Sequence, residues 1–194
     1  MKTPTELVLN IKFGLPGHHN LTNALLAFAM AKSYGVSNDK ISAALASFKG
    51  VRRRFSFQIR EENKVYIDDY AHHPTEINAV HQAVRELYPG KKIIAAFQPH
   101  LFSRTKDFAD GFAESLAQFD EVLLLEIYPA RELPMEGINS SWLLTKIDHP
   151  NKKLVNKNEL ITAFQNSDAS VFVTIGAGDI GEMVKDIKKA LYEK

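Results

Sequence analysis

The chain contains no cysteine. Disulfide scaffolds and thiolate chemistry are therefore excluded. It also lacks an excess charge of either sign. Lys and Arg number 24 against 23 Asp and Glu, for a net charge of +1. No electrostatic case exists for nucleic acid or for a membrane surface. No apolar run approaches the ~20 residues of a membrane span, and Met1-Lys2-Thr3-Pro4-Thr5-Glu6-Leu7 has no apolar signal core. A cytoplasmic protein is expected. Two catalytic signatures are missing as well. There is no Gly-x-x-x-x-Gly-Lys-Ser/Thr phosphate loop and no Gly-x-Ser-x-Gly nucleophile elbow.

What is present is ordinary in bulk and specific in detail. Of the 194 residues, 45% are hydrophobic and 24% charged, which argues for a folded globular chain and against disorder. That length suits one sizeable core, or one domain with a piece of another. Glu6 to Phe13 reads as a strand. A helix then runs from His18 to about Tyr34 and a second from Lys40 to Phe48. One strand and two helices do not close a core, so the chain is expected to begin inside a domain. From Phe55 the pattern changes. Phe55–Ile59 and Lys64–Ile67 form a hairpin, followed by a helix over Thr75–Leu87. A strand at Lys92–Phe97 precedes a helix over Ser103–Phe119, and Glu121–Ile127 is another strand. Helices follow at Ser140–Ile147 and Asn158–Gln165, then a strand at Ala169–Ile175 and a helix at Ile180–Tyr192. Such alternation predicts an α/β fold: a Rossmann-like, mostly parallel sheet with helices on both faces. The expected boundary lies near Gly50 to Arg53.

The densest chemistry is Asp68-Asp69-Tyr70-Ala71-His72-His73-Pro74-Thr75-Glu76, where a strand ends and a helix begins. Ligands of open α/β sheets bind at such strand ends. Asp69 reads either as a ribose ligand or as a helix cap. Arg52, Arg53 and Arg54 read either as a phosphate clamp or as a solvated linker. Asn20 and Asn23, three apart, lie on one face of a helix start, where they either contact an adenine edge or cap the helix. Adjacent histidines, 18 with 19 and 72 with 73, point apart and do not suit a metal. Phe97 to Thr105 forms a second polar strand end, in which Arg104 suits an anion. Gly176-Ala177-Gly178-Asp179-Ile180-Gly181 matches a dinucleotide fingerprint in spacing, but no βαβ unit follows it. A tight turn is the better reading.

The combination is more specific than its parts. Pro16-Gly17-His18-His19-Asn20 with Asn23-Ala24, Gly50-Val51 leading to Arg53-Arg54-Phe55, and Asp68 through Glu76 come first. Phe97-Gln98-Pro99-His100 with Ser103-Arg104-Thr105, Tyr128 through Glu132, and Gly176-Ala177-Gly178 follow. In this order and spacing they resemble the Mur ligases over nearly the whole chain. The resemblance implies that residues 1–52 end a central ATPase domain and residues 53–194 form a Rossmann-like C-terminal domain acting as a lid. It implies an ATP- and magnesium-dependent amide ligase of peptidoglycan precursor synthesis, working through an acyl phosphate. The magnesium ligands and the phosphate loop would lie elsewhere in the full-length protein, leaving this segment inactive alone. By resemblance His19, Asn20, Asn23, Arg54 and Asp69 contact ATP. Tyr70, His72, His73 and Arg104 surround the muramoyl carboxylate and incoming amino acid, with His72, His73 and Arg104 nearest the chemistry. No metal ligand is assigned. The implied partners are UDP-N-acetylmuramate, L-alanine and ATP. Tyr70 and Glu76 favour addition of L-alanine over recycling of a whole tripeptide. A stand-alone nucleotide-binding module is the remaining alternative. Leu101 stands where relatives typically carry arginine, which transfers more of the anion binding to Arg104.

Overall fold

A computed structural model describes Val8 and residues 10–193. The chain divides into two compact units, Met1–Val51 and Arg52–Lys194. The expected strand at Glu6–Phe13 lies partly outside the described residues, and Ile11 to Phe13 are not in a strand.

The first unit holds α1 (His18–Ser33) and α2 (Asn38–Ser47). Gly17, at φ 90°, supplies the left-handed turn that opens α1. Gly35, at φ 81°, ends it, with the amide of Val36 bonded back to the Ala31 carbonyl. Phe28 and Ile41 are the buried residues of these helices.

The second unit is a six-stranded sheet in the order β1-β2-β6-β3-β4-β5. Its strands are β1 (Ser56–Arg60), β2 (Val65–Asp69), β3 (Ile93–Phe97), β4 (Glu121–Leu124), β5 (Lys152–Leu154) and β6 (Val171–Ile175). The β1–β2 hairpin is antiparallel with an irregular register between Phe57 and Ile59, and every other pairing is parallel. The helices are α3 (Pro74–Leu87), α4 (Phe102–Asp107), α5 (Ala109–Leu116), α6 (Ser140–Lys146), α7 (Lys157–Asn166) and α8 (Val184–Tyr192).

Alternation along the strands builds two cores. Val65, Ile67, Ala95, Phe97 and Val173 face α3, α5 and α6. Tyr66, Ile94, Ala96 and Phe172 face α7 and α8. β2, β3 and β6 are wholly buried, as expected of parallel strands covered on both faces. The helix after β6 thus lies opposite the helices after its neighbours β2 and β3. The carboxyl ends of these three strands form the topological switch of the sheet.

Three expected elements differ. The single helix over Ser103–Phe119 is two helices broken at Phe108, whose backbone (φ −114°, ψ 19°) leaves the helical region. The last helix begins as a 3₁₀ turn, Asp179–Glu182. Strand β5 lies where the sequence pattern predicts no strand, and β4 stops at Leu124 rather than Ile127.

Candidate functional site

At the end of β2, successive carboxylates turn to opposite sides, and both are buried. Asp68 accepts from Arg53 Nε at 3.0 Å and from Thr174 Oγ1 at 2.9 Å. Thr174 lies 3.0 Å from the Tyr66 hydroxyl. Arg53 also donates to the Gly176 carbonyl at 2.6 Å and stands 5.1 Å from the Tyr70 ring centre. Burial pushes Asp68 and the Tyr66 phenol above their ordinary ranges. Asp69 accepts the amides of Phe55 (2.6 Å) and Ala71 (2.7 Å). Burial nevertheless pushes it up to about 6, against the lowering effect of those amides. Its visible work is to pin the chain on either side of the strand end.

The turn that follows separates the two histidines. His72 Nδ1 lies 2.9 Å from the Tyr70 carbonyl. A carbonyl only accepts, so Nδ1 carries the proton and, in the neutral ring, Nε2 keeps a free lone pair. The His72 amide donates to Glu76. Burial alone would raise Glu76, but the His72 amide, His72 and Arg54 outweigh it and hold the carboxyl low. Arg54, 3.6 Å from Glu76, lies 5.8 Å from the Tyr70 ring centre. His73 takes the opposite tautomer. Its Nδ1 accepts the Thr75 amide, capping α3, and its ring packs on Phe108 at 4.5 Å. Tyr70, His72, Arg54 and Glu76 therefore form one cluster, and His73 belongs to the helix cap.

The β3 end is less self-contained. His100 stacks on Tyr128 at 5.7 Å and lies 6.3 Å from the His72 ring. Its Nδ1 is buried without a hydrogen-bond partner among the described residues. Burial, Arg104 and His72 all hold its pKa low. Leu101 adopts φ 72°, a left-handed conformation rare for a leucine. Arg104 is half-buried on α4, and its guanidinium makes no hydrogen bond or ion pair among the described residues. Glu132 reaches across from the β4–α6 loop to accept the amide (3.0 Å) and hydroxyl (2.5 Å) of Ser103. Those bonds hold its carboxyl low.

The three glycines after β6 serve packing. A Cβ on Gly176, at φ 149°, would come within 2.7 Å of the Gln98 carbonyl. On Gly178 it would meet Gln98 Oε1 at 2.4 Å, and on Gly181 the Arg53 guanidinium at 2.3 Å. Gln98 itself bridges Asp179 (2.7 Å) and the Ile180 amide (2.8 Å). These close approaches account for the fingerprint-like spacing.

In the first unit, the Asn20 side-chain Nδ2 donates to the Pro16 carbonyl at 2.6 Å, while His19 and Asn23 are exposed on α1. The sequence alone assigns no individual role to His100, Glu132 or Gln98, and it leaves Arg53 between a phosphate clamp and a solvated linker, whereas the structure turns Arg53 onto Asp68. The arginine run did hold the signal for Arg53, but not which of its members turns inward. Among the described residues no group of three His, Asp or Glu side chains is placed to hold a metal ion.

With this geometry in hand, comparison with known proteins is specific. Residues 53–178 match the family described as Mur ligase, glutamate ligase domain. A UDP-N-acetylmuramate–L-alanine ligase of Flavobacterium psychrophilum is 73% identical over 194 residues, covering all of this chain and 43% of that protein. This chain thus spans about two fifths of the length of the curated relatives it matches. The crystal structure of a UDP-N-acetylmuramate–alanine ligase from Thermotoga maritima superposes with a TM-score of 0.74 at 30% identity, over 96% of this chain and 40% of that one. A murein peptide ligase from Psychrobacter arcticus, 22% identical over 93% of this chain and 38% of its own, shares the fold with a TM-score of 0.67. The switch-point sheet, its motif-bearing strand ends and the family match over most of the second unit together show that the chain belongs to the Mur ligase family.

Proposed function

We propose that this chain is the segment of an ATP-dependent ligase that receives the amino acid, joining L-alanine to UDP-N-acetylmuramate. In this reading the γ-phosphoryl group of ATP passes to the muramoyl carboxylate. The amine of L-alanine then attacks the acyl carbon, and inorganic phosphate leaves as the amide forms. The work asked of the protein is positioning and neutralisation of negative charge.

The observation that carries the reading is the open set of groups at the β2 and β3 ends. Arg104, a cation without a hydrogen bond or ion pair among the described residues, acts on His100, which neighbours His72, and the Nε2 of His72 can take a proton from the attacking amine. Arg104 receives the amino-acid carboxylate. Tyr70, held close to Arg53 and Arg54, forms the wall of the cluster. Arg54, more than half exposed, reaches for a phosphate oxygen. Asp69 orders the turn, and each of its oxygens keeps a second lone pair for a ribose hydroxyl. The adenine contacts assigned to His19, Asn20 and Asn23 rest on the family resemblance. Magnesium and the phosphate loop would come from the part of the ligase outside this sequence, so the chain alone is expected to form no amide.

The test is phosphate release by the full-length protein supplied with ATP, UDP-N-acetylmuramate and either L-alanine or a tripeptide. Release with L-alanine and not with the tripeptide supports the proposal. Preference for the tripeptide, or release with neither, overturns it.

A further inference from the structure

The most informative feature outside these assigned groups is the way α4 begins. Its N-cap residue is Leu101, whose side chain makes no cap hydrogen bond. An apolar residue leaves the first amides of a helix without an acceptor. Here the acceptor comes from another loop. Glu132 takes both the amide and the hydroxyl of Ser103, the residue immediately before Arg104.

The loop that delivers Glu132 is fastened along its length. The Tyr128 amide donates to the Pro99 carbonyl at 2.8 Å, and the Leu101 amide donates to the Tyr128 carbonyl at 2.9 Å. The Glu132 amide closes a turn on the Pro129 carbonyl at 2.9 Å, with Ala130 at φ 52°. Two residues other than glycine, Leu101 and Ala130, thus occupy left-handed conformations in one small assembly. Such conformations persist only where surrounding contacts hold them. The Glu132–Ser103 pair is the contact that ties the loop to the helix at its far end.

We infer that Glu132 is a positioning residue: as the substitute cap of α4, it sets where Arg104 presents its guanidinium. This rests on the proposed function. Arg104 has no partner of its own among the described residues, so its direction is set by the backbone that carries it. Glu132 has no need to touch substrate.

The experiment uses the full-length ligase with Glu132→Ala, Glu132→Gln and Ser103→Ala. The KM for L-alanine and for ATP and the kcat are measured for each. Loss of these bonds is expected to raise the KM for L-alanine at least roughly tenfold in Glu132→Ala, the lower limit set by the ~1.5 kcal/mol of a single charge-assisted hydrogen bond. The KM for ATP stays unchanged. Glutamine keeps an acceptor for the Ser103 amide, so Glu132→Gln recovers most of the loss. Ser103→Ala, which keeps the amide bond, falls between the two. A purely structural role would lower the active fraction, and hence kcat, without moving the KM for L-alanine. That outcome overturns the inference, as does an unchanged KM in Glu132→Ala. Failure of the functional reading is distinct: the wild-type protein itself would make no amide from L-alanine.

Discussion

The two chemically dense strand ends of the second unit are built on opposite plans. At the β2 end nearly every polar group is answered from within. Asp68 holds Arg53 and Thr174, Asp69 holds two amides, and His73 caps α3. At the β3 end the chain leaves groups open. Among the described residues His100 has a buried Nδ1 without a partner and Arg104 has no ion pair or hydrogen bond, and Leu101 is in a left-handed conformation. An unpartnered buried polar atom is rare in folded chains and calls for an explanation. A ligand that completes the bonding supplies one. The contrast teaches that density of chemical groups is not availability. The richer stretch, Asp68 to Glu76, does much of the holding, and the sparser one presents Arg104, a cation without a partner among the described residues.

The closed end can be broken most severely at Arg53. The Asp68 side chain is 1% exposed and its partner Arg53 18% exposed. Truncating one partner strands the other charge in the interior. Arg53→Ala should lower stability by about 3 kcal/mol, read as a shift of the urea midpoint. A neutral result would show that the β2 end is not held from within.

Asp69 offers a test with a definite sign. Its carboxyl stands at about 6 in the fold against an ordinary 3.8. Between those values the folded chain binds a proton that the unfolded chain has lost. Stability therefore falls as pH rises through this window and is regained as pH drops below it. The contribution amounts to at most about 3 kcal/mol. Asp69→Asn should flatten the fall in stability between pH 4 and pH 6, measured by thermal unfolding across that range. Asp68, also raised, contributes the same sign in both proteins, so the difference between them reports Asp69. An unchanged slope would show that the Asp69 carboxyl is not raised in the fold, its amide bonds then balancing its burial.

How much of this contrast the sequence discloses follows from the range of the interactions. The β–α alternation is legible because burial on both faces leaves unbroken apolar strands such as Ile93–Phe97. Strand β5 is hidden because Lys152–Leu154 is a three-residue edge strand carrying two lysines, a pattern that suits exposure at a sheet edge. The break at Phe108 is hidden because the helical spacing of Phe112 and Leu116 runs on from Thr105. At the site, residue types are legible and directions are not. Nothing local says that Arg53 turns inward while Arg54 stays out. Glu132 meets Ser103 across 29 residues, a pairing no motif spacing announces. The glycines after β6 match a nucleotide loop in spacing but read better as a tight turn, and the neighbours that demand glycine there, Gln98 and Arg53, are visible only in the fold.

The open end is tested at Arg104. In the full-length ligase Arg104→Ala should lower kcat/KM for L-alanine on the order of 100-fold, the usual cost of losing one well-placed charge-stabilising group. Its effect on stability should be small, because the guanidinium has no internal partner among the described residues. Wild-type kcat/KM in this variant would remove Arg104 from the site.

His73 decides on which side of the comparison the second histidine belongs. Family resemblance groups it with His72 and Arg104, whereas its geometry groups it with the α3 cap. The two assignments differ in what rescues a loss. His73→Ala removes the acceptor of the Thr75 amide and should cost about 1 kcal/mol, the typical worth of an N-cap. Asparagine is itself a favoured N-cap but carries no imidazole to exchange protons. If the cap is the whole role, His73→Asn restores both the unfolding midpoint and the ligase activity. If His73 acts on substrate, His73→Asn restores the midpoint and leaves the activity low. The first outcome is expected, because the Nδ1 lone pair that would serve as a base is already engaged by the helix, and the ring is packed against Phe108.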